Sequence, residues 1–231
     1  YNLAESGGLP QQVQLASSHF HLAMNLSQSG SWRESGAHLE YLKEDDRILL
    51  LPFESQFWTT FLFSLSALKT GDGNSALTYL EQIHDMEDNQ FNDLPNINDL
   101  IESGLFEVLT AYAHSLNESH QLALELLEDT SSAFHSITRN LEAWIHNAMG
   151  YRALNNGELL EAVSHFESAL SLIPNDPSTL NNLACALSHD EQHGEALNTF
   201  QSLSEENSID IAHYNFAVLT ERVSSDQQSA Y

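Results

Sequence analysis

Apolar and small residues alternate with polar ones along this chain in a pattern that predicts pairs of amphipathic helices joined by short turns. The clearest copy spans residues 143–176, and a shift of 34 residues superimposes it on residues 177–210. The positions that keep their size under this shift are Gly150 and Ala184, Ala162 and Ala196, and Phe166 and Phe200. A fixed period of this length is typical of stacked two-helix units, each of which buries its apolar face against its neighbours.

The same hairpin recurs upstream, at longer intervals. The predicted turn residues of the five hairpins are Gly30, Gly71, Glu118, Gly157 and Glu191. Successive turns are therefore 41, 47, 39 and 34 residues apart. The extra residues fall in the connections between hairpins, at 44–55, 87–103 and 131–140. The chain is thus predicted to be a diverged array whose hairpins are regular and whose joints are not.

These patterns divide the chain into an irregular N-terminal segment 1–15, an α-solenoid over 16–222 and a polar tail 223–231. Within the solenoid the predicted hairpins are about 16–44, 57–88, 104–130, 143–176 and 177–210, followed by a terminal helix 211–222. Segment 85–99 is acidic, rich in asparagine and contains Pro95, so we expect a long surface loop there.

Charge narrows the classes of partner. The chain has 7 Lys+Arg against 33 Asp+Glu, a formal net charge of −26. Such a field repels phosphate backbones and anionic lipid surfaces, so we expect no nucleic-acid partner and no direct membrane insertion. No segment approaches the ~20 apolar residues of a membrane span. The acidity either favours basic partner surfaces or simply keeps an apolar-rich array in solution, and the sequence leaves both explanations open.

Candidate chemistry is scarce. Among twelve histidines, His19 and His21 are two residues apart on a predicted helix and therefore face different directions. Metal-binding His-Glu-x-x-His and Cys-x-x-Cys patterns, a nucleophile elbow and a glycine-rich phosphate loop are all missing from the sequence. The single cysteine, Cys185, suits a reducing compartment, so we expect a cytoplasmic protein. We predict no catalytic residue, no cofactor and no metal: the chain is not expected to be an enzyme.

The regular hairpin carries a family resemblance. Its small, aromatic and turn positions, Gly150, Gly157, Ala162, Phe166, Ala169 and Pro174, fall on those of the tetratricopeptide repeat (TPR). The next hairpin resembles the repeat less closely, with Glu191, Leu203 and Ser208 in place of the usual Gly, Ala and Pro. The resemblance implies an all-α, right-handed solenoid of antiparallel hairpins with a non-catalytic, protein-binding function.

The resemblance also implies where a partner binds, because the first helix of each repeat lines the concave surface in this family. Asn182 and Asn215 match an inner-helix asparagine that bonds an extended peptide; alternatively, both satisfy groups on neighbouring helices. The candidate partner-binding residues are Trp144, Asn147, Tyr151, Asn181, Asn182 and Asn215. The carboxylate clamp of TPR co-chaperones is excluded, since its positions carry Asn147, Asn155 and His189 instead of basic residues.

A narrower resemblance covers about residues 50–231. An asparagine-rich helix at 180–185, a lone helix containing Tyr214-Asn215-Phe216-Ala217 and a Glu/Ser-rich end are similar to the C-terminal half of the family of twelfth subunits of the TRAPP vesicle-tethering complex. This implies a scaffold subunit of a multiprotein complex in intracellular trafficking. The alternative is a peptide-binding TPR adaptor that holds an extended or basic segment in its concave groove.

Overall fold

The computed structural model describes residues 8–86, 94–128, 130, 134–205 and 210–229, and all regular structure within these ranges is helical. This confirms the prediction of an all-α, TPR-like solenoid. The chain divides into two compact units, Tyr1–Ala133 and Phe134–Tyr231.

The first unit consists of helical hairpins and two shorter elements. Its elements are α1 Leu9–Gln28, α2 Trp32–Lys43, a 3₁₀ segment Glu44–Leu50, α3 Phe53–Thr70, α4 Gly73–His84, α5 Pro95–Glu102, α6 Leu105–Leu116 and α7 His120–Glu128. Helices α1 and α2, α3 and α4, and α6 and α7 pack in pairs, and α4 packs on α6 to join the second pair to the third. The short helix α5 lies against α6.

The second unit continues the same plan. Its helices are α8 His135–Asn156, α9 Leu159–Leu172, α10 Pro177–His189, α11 His193–Glu205 and α12 Asp210–Ser229. Helices α8 and α9 form one hairpin, α10 and α11 form the next, and α12 packs on α11. Contacts between α9 and α10 join the two hairpins.

Several boundaries differ from the sequence-based prediction. Residues 9–15, expected to be irregular, begin α1; part of the expected loop 85–99 forms α5; and α12 extends beyond 222 to Ser229. Two prolines explain the first two differences. Pro10 and Pro95 each occupy the first turn of a helix, where a missing N–H costs nothing, so they start helices instead of interrupting them. Residues 1–7 and 87–93 lie outside the described part of the chain.

All five predicted turn residues adopt the left-handed conformation that ends a helix. Their φ angles are +81° at Gly30, +80° at Gly71, +60° at Glu118, +80° at Gly157 and +61° at Glu191. In every turn the next residue donates its N–H to a carbonyl five residues earlier, as in Asp72 to Ala67 and Glu158 to Ala153, both at 2.9 Å. This is the Schellman motif, which satisfies carbonyls left open at the helix end. Glu118 and Glu191 adopt it despite the steric cost of a Cβ.

Close approach of the two helices is clearest in the hairpin of α8 and α9. Phe166 is fully buried, and a Cβ added to Gly150 would lie 2.7 Å from its Cε1 atom and 3.1 Å from the carbonyl oxygen of Ala162. Only glycine leaves room for the ring at this crossing. Phe166 and Ala162 then form a buried cluster with Ala153 and with Ala186 of α10.

In two of the hairpins, a pair of histidines links the first helix to the second. His19 of α1 and His38 of α2 have their Nδ1 atoms 3.0 Å apart, and those of His146 in α8 and His165 in α9 are 3.3 Å apart. Both pairs are separated by 19 residues along the chain. A neutral pair forms one hydrogen bond, in which one ring donates and the other accepts. Burial, and secondarily the neighbouring imidazole, lowers the pKa of His19 and of His146.

Replacing Gly150 by alanine is predicted to destabilise the protein. The new methyl group would force the Phe166 ring or the α8–α9 crossing to shift, at a cost of about 1–3 kcal/mol in the free energy of unfolding. The matched control is Gly36→Ala in α2, where an added Cβ meets nothing within 4 Å. That control should gain about 0.5–1 kcal/mol from helix propensity. Urea unfolding followed by circular dichroism measures both; equal effects would contradict the proposed crossing contact.

The His146–His165 pair is predicted to make stability depend on pH. Because the pKa of His146 is lower in the folded chain than in the unfolded one, the unfolded chain takes up protons first as pH falls. The stability of the fold should therefore decline on acidification below the ordinary imidazole pKa of about 6.5. His146→Gln, which stays neutral, should give a shallower decline between about pH 7 and pH 5. Unfolding free energies measured across this range test it, and an unchanged slope would be inconsistent with the prediction.

Candidate protein-binding surface

The six candidate residues lie on α8, α10 and α12, the helices that open successive hairpins of the second unit. Trp144 and Tyr151 are seven residues apart on α8, two helical turns, and so share one face. Their side chains are 45% and 55% exposed. Large aromatic side chains exposed in this way are typical anchors of protein interfaces.

The asparagines link successive first helices to one another. Asn182 of α10 donates from Nδ2 to Oδ1 of Asn147 on α8, at 3.0 Å. Asn215 of α12 donates in the same way to Oδ1 of Asn181 on α10, also at 3.0 Å, and lies 3.6 Å from the sulfur of Cys185. In this structure Asn182 and Asn215 therefore bond neighbouring helices, the second of the two alternatives left open by the sequence.

The degree of exposure differs among the asparagines. Asn147, Asn182 and Asn215 are half-buried, whereas Asn181 is only 8% exposed. Asn181, a candidate partner-binding residue, is therefore not open to a partner in this structure, because its side chain accepts the bond from Asn215 of α12. Sequence spacing identified the helix that carries it but could not show how deeply that face is covered.

A cavity of ≈ 370 Å³ lies beside Trp144, between α8, the end of α9 and the start of α10. Its lining combines apolar and polar side chains: Asn140, Ala143, Trp144, Asn147, Ala169, Ile173, Asp176, Ser178 and Thr179. Asp176 is already engaged as the cap of α10, since its Oδ2 accepts from the Thr179 N–H at 2.8 Å and from the Thr179 hydroxyl at 2.7 Å. The cavity can receive an apolar side chain next to amide and hydroxyl groups.

The described residues offer little support for a metal site or for a cysteine nucleophile. Cys185 is half-buried, and burial raises the pKa of its thiol, which opposes formation of a nucleophilic thiolate. No three His, Cys, Asp or Glu side chains converge on a common metal position within the described ranges. The sequence pattern does not reveal the paired histidines, because His19 and His38 lie on different helices and only the hairpin brings them together. Within the same ranges, every helix is too short or too polar to cross a membrane.

Comparison with known proteins supports the fold. No family model matches the chain, and no curated protein sequence matches it. Among solved structures, PilF of Pseudomonas aeruginosa matches with a TM-score of 0.52 and 11% identity, over 95% of this chain and 89% of that protein. MamA of Desulfovibrio magneticus RS-1 matches at 0.49 and 16% identity, over 85% of this chain and 97% of that one.

A third match is a kinesin light chain from Podospora anserina, described as putative and as having nearly identical TPR-like repeats. It matches with a TM-score of 0.46 and 20% identity, over 84% of this chain and 95% of that one. At these identities the likeness concerns the fold alone. The helix pairs with their repeated turns, together with the match to PilF at a TM-score of 0.52, give this chain a TPR-like all-α fold.

The bond between Asn215 and Asn181 is predicted to stabilise the packing of α12. Asn215→Ala removes the amide that donates to Oδ1 of Asn181, and this buried oxygen loses the hydrogen bond. We therefore expect a loss of about 1–2 kcal/mol in the free energy of unfolding. Asn155→Ala, at an exposed position of α8, is the control and should change stability by less than about 0.5 kcal/mol. Thermal and urea unfolding report both; a loss no larger than that of the control would argue against the bond.

Proposed function

We propose that this protein is a non-catalytic protein–protein interaction scaffold that acts as a subunit of a multiprotein complex. The observation that carries the proposal is the pair of exposed aromatic side chains, Trp144 and Tyr151, on one face of α8 in a TPR-like array. A partner that covers two such exposed rings removes a large apolar area from water, which stabilises the complex. The hairpins behind them are held by buried contacts and supply a rigid support.

The finer proposal is a subunit of a vesicle-tethering assembly in the cytoplasm. It is supported by the resemblance of the asparagine-rich α10 and the terminal helix α12 to a TRAPP subunit family. The net charge of −26 favours a partner with a basic surface, because opposite potentials speed association and stabilise the complex. It also disfavours nucleic acids as partners.

The alternative is an adaptor that holds an extended or basic peptide in a groove formed by α8, α10 and α12. The ≈ 370 Å³ cavity beside Trp144 supports it, since the cavity has room for one anchoring side chain. An incoming peptide backbone would have to compete for Asn147 and Asn182, which bond each other at 3.0 Å. Asn181 is too buried to contribute directly.

Substitution of the aromatic pair tests the scaffold proposal. Tagged full-length protein is cross-linked in cells, purified and analysed by mass spectrometry, alongside the double variant Trp144→Ala/Tyr151→Ala. Loss of two central aromatic anchors should reduce recovery of stable partners by at least about ten-fold. The control is Leu160→Ala on α9, which removes an apolar side chain that is 80% exposed but lies on a second helix.

The outcomes separate the alternatives. Stable partners that depend on Trp144 and Tyr151, but not on Leu160, support a scaffold that uses this face. Recovery of a single protein through a short linear segment, weakened by Asn147→Ala/Asn182→Ala, favours the adaptor. The proposal would be refuted if no stable protein partner is recovered, or if none of these substitutions changes the recovery of partners.

A further inference from the structure

The first unit contains a second cavity, somewhat larger than the one beside Trp144. It has a volume of ≈ 500 Å³ and lies between α4, α5, α6 and α7. Its apolar lining residues are Leu77, Leu80, Ile83, Ile101, Phe106 and Leu126. Its polar lining residues are Glu81, His84, Glu107, Thr110 and His114. The scaffold proposal, which concerns α8–α12, assigns no role to this cavity.

The apolar part of the cavity is preformed. Leu80 and Ile83 of α4 line it and are only 5% and 3% exposed. Phe106 of α6 forms one wall, and its ring is held by Phe57 and Phe61 of α3, with ring centroids 6.3 and 5.6 Å away. Aromatic pairs at these distances are attractive and limit ring movement. A ligand would therefore meet an apolar surface that already exists and would not need to unpack the core.

The entrance of the cavity is acidic. Glu81 of α4 and Glu107 of α6 both line it and are exposed, so two carboxylates stand on its solvent side. Neither carboxylate forms a salt bridge with a residue that the structure describes. His114, a half-buried residue that also lines the cavity, adds little compensating charge near neutral pH, because burial lowers its pKa more than the nearby Glu81 raises it.

This combination selects among ligand classes. Phosphorylated or carboxylated small molecules would be repelled by the two carboxylates and by the charge of the whole chain. A site of several hundred Å3 with apolar walls can hold more than one large side chain, as a groove does when it binds an amphipathic helix. Basic residues beside those anchors would be attracted to the rim.

We propose that this cavity is a docking site for a basic amphipathic segment of a partner protein, whose apolar side chains enter between α4 and α6 while its lysine or arginine residues face Glu81 and Glu107. The proposal rests on the scaffold function and adds a second surface, in the first unit, with a stated preference for its ligand. In this proposal, part of the negative charge of the chain serves to recognise basic residues of the partner.

A designed peptide tests the proposal on the full chain. The probe is a fluorescein-labelled peptide of alternating pairs of lysine and leucine, with blocked ends, and its binding is measured by fluorescence anisotropy at physiological salt. Thr110→Phe fills the cavity without changing charge and should weaken binding at least about ten-fold. Glu81→Gln/Glu107→Gln leaves the cavity open and should weaken it about five-fold. Circular dichroism establishes that each variant is folded.

A matched control separates the rim from general electrostatics. Glu167→Gln/Glu221→Gln removes two exposed carboxylates from the second unit and gives the same net charge as the rim variant. It should change peptide affinity by less than about two-fold. A second probe with serine in place of leucine should bind the wild-type protein at least about ten-fold more weakly.

Each outcome decides the proposal independently of the scaffold function. Equal weakening by the rim variant and the control variant, or full binding by folded Thr110→Phe, would overturn the docking site. If Thr110→Phe is unfolded, the comparison between the rim and control variants decides alone. Partner recovery that is lost in Trp144→Ala/Tyr151→Ala and kept in Thr110→Phe would leave the scaffold in place without this site. Peptide binding at the cavity, with no stable partner recovered in cells, would support the docking site and refute the scaffold proposal.

Discussion

Each hairpin depends on a turn in which one residue adopts a left-handed backbone and the following N–H bonds back across the helix end. The turn ends one helix within a single residue and starts the next with a fixed rotation. That rotation brings Gly150 directly against Phe166, and the same geometry recurs where Glu118 and Glu191 replace glycine. The other contacts of the hairpin, including the histidine pairs, follow from the register that the turn sets.

Two surfaces of different chemistry result from this plan. On α8 the aromatic rings of Trp144 and Tyr151 project into solvent, and binding there would cover apolar area that is already exposed. In the first unit the apolar area lies inside a cavity behind the carboxylates of Glu81 and Glu107. The first surface suits a broad, flat interface, whereas the second suits a narrow segment that inserts side chains.

Much of the fold could be predicted from local patterns. Gly30, Gly71 and Gly157 identified their turns because a left-handed conformation favours glycine, and the spacing to Phe166 identified the crossing. Pro95 led to the prediction of a loop at 85–99, part of which forms α5 instead. A proline can interrupt a helix or begin one, and the residues around it decide which.

The candidate site was less predictable, because it depends on how far one helix covers another. The spacing placed Trp144 and Asn181 on first helices, yet one is 45% exposed and the other 8%. Histidines 19 residues apart meet across a hairpin, a contact that no helical period reveals. The cavity in the first unit is also invisible in the sequence, since it forms where four helices fail to fill the space between them.

Helix α12 has a consequence for how this chain can be cut or extended. Leu219 of α12 is buried against Leu187, Ala196 and Phe200 of the preceding hairpin, and Phe216 packs on the same cluster. A shortened chain that stops after α11 would present that apolar surface to water and invite self-association. Helix α12 thus covers the apolar face of the α10–α11 hairpin, so an expression boundary or fusion tag placed before Asp210 would uncover it.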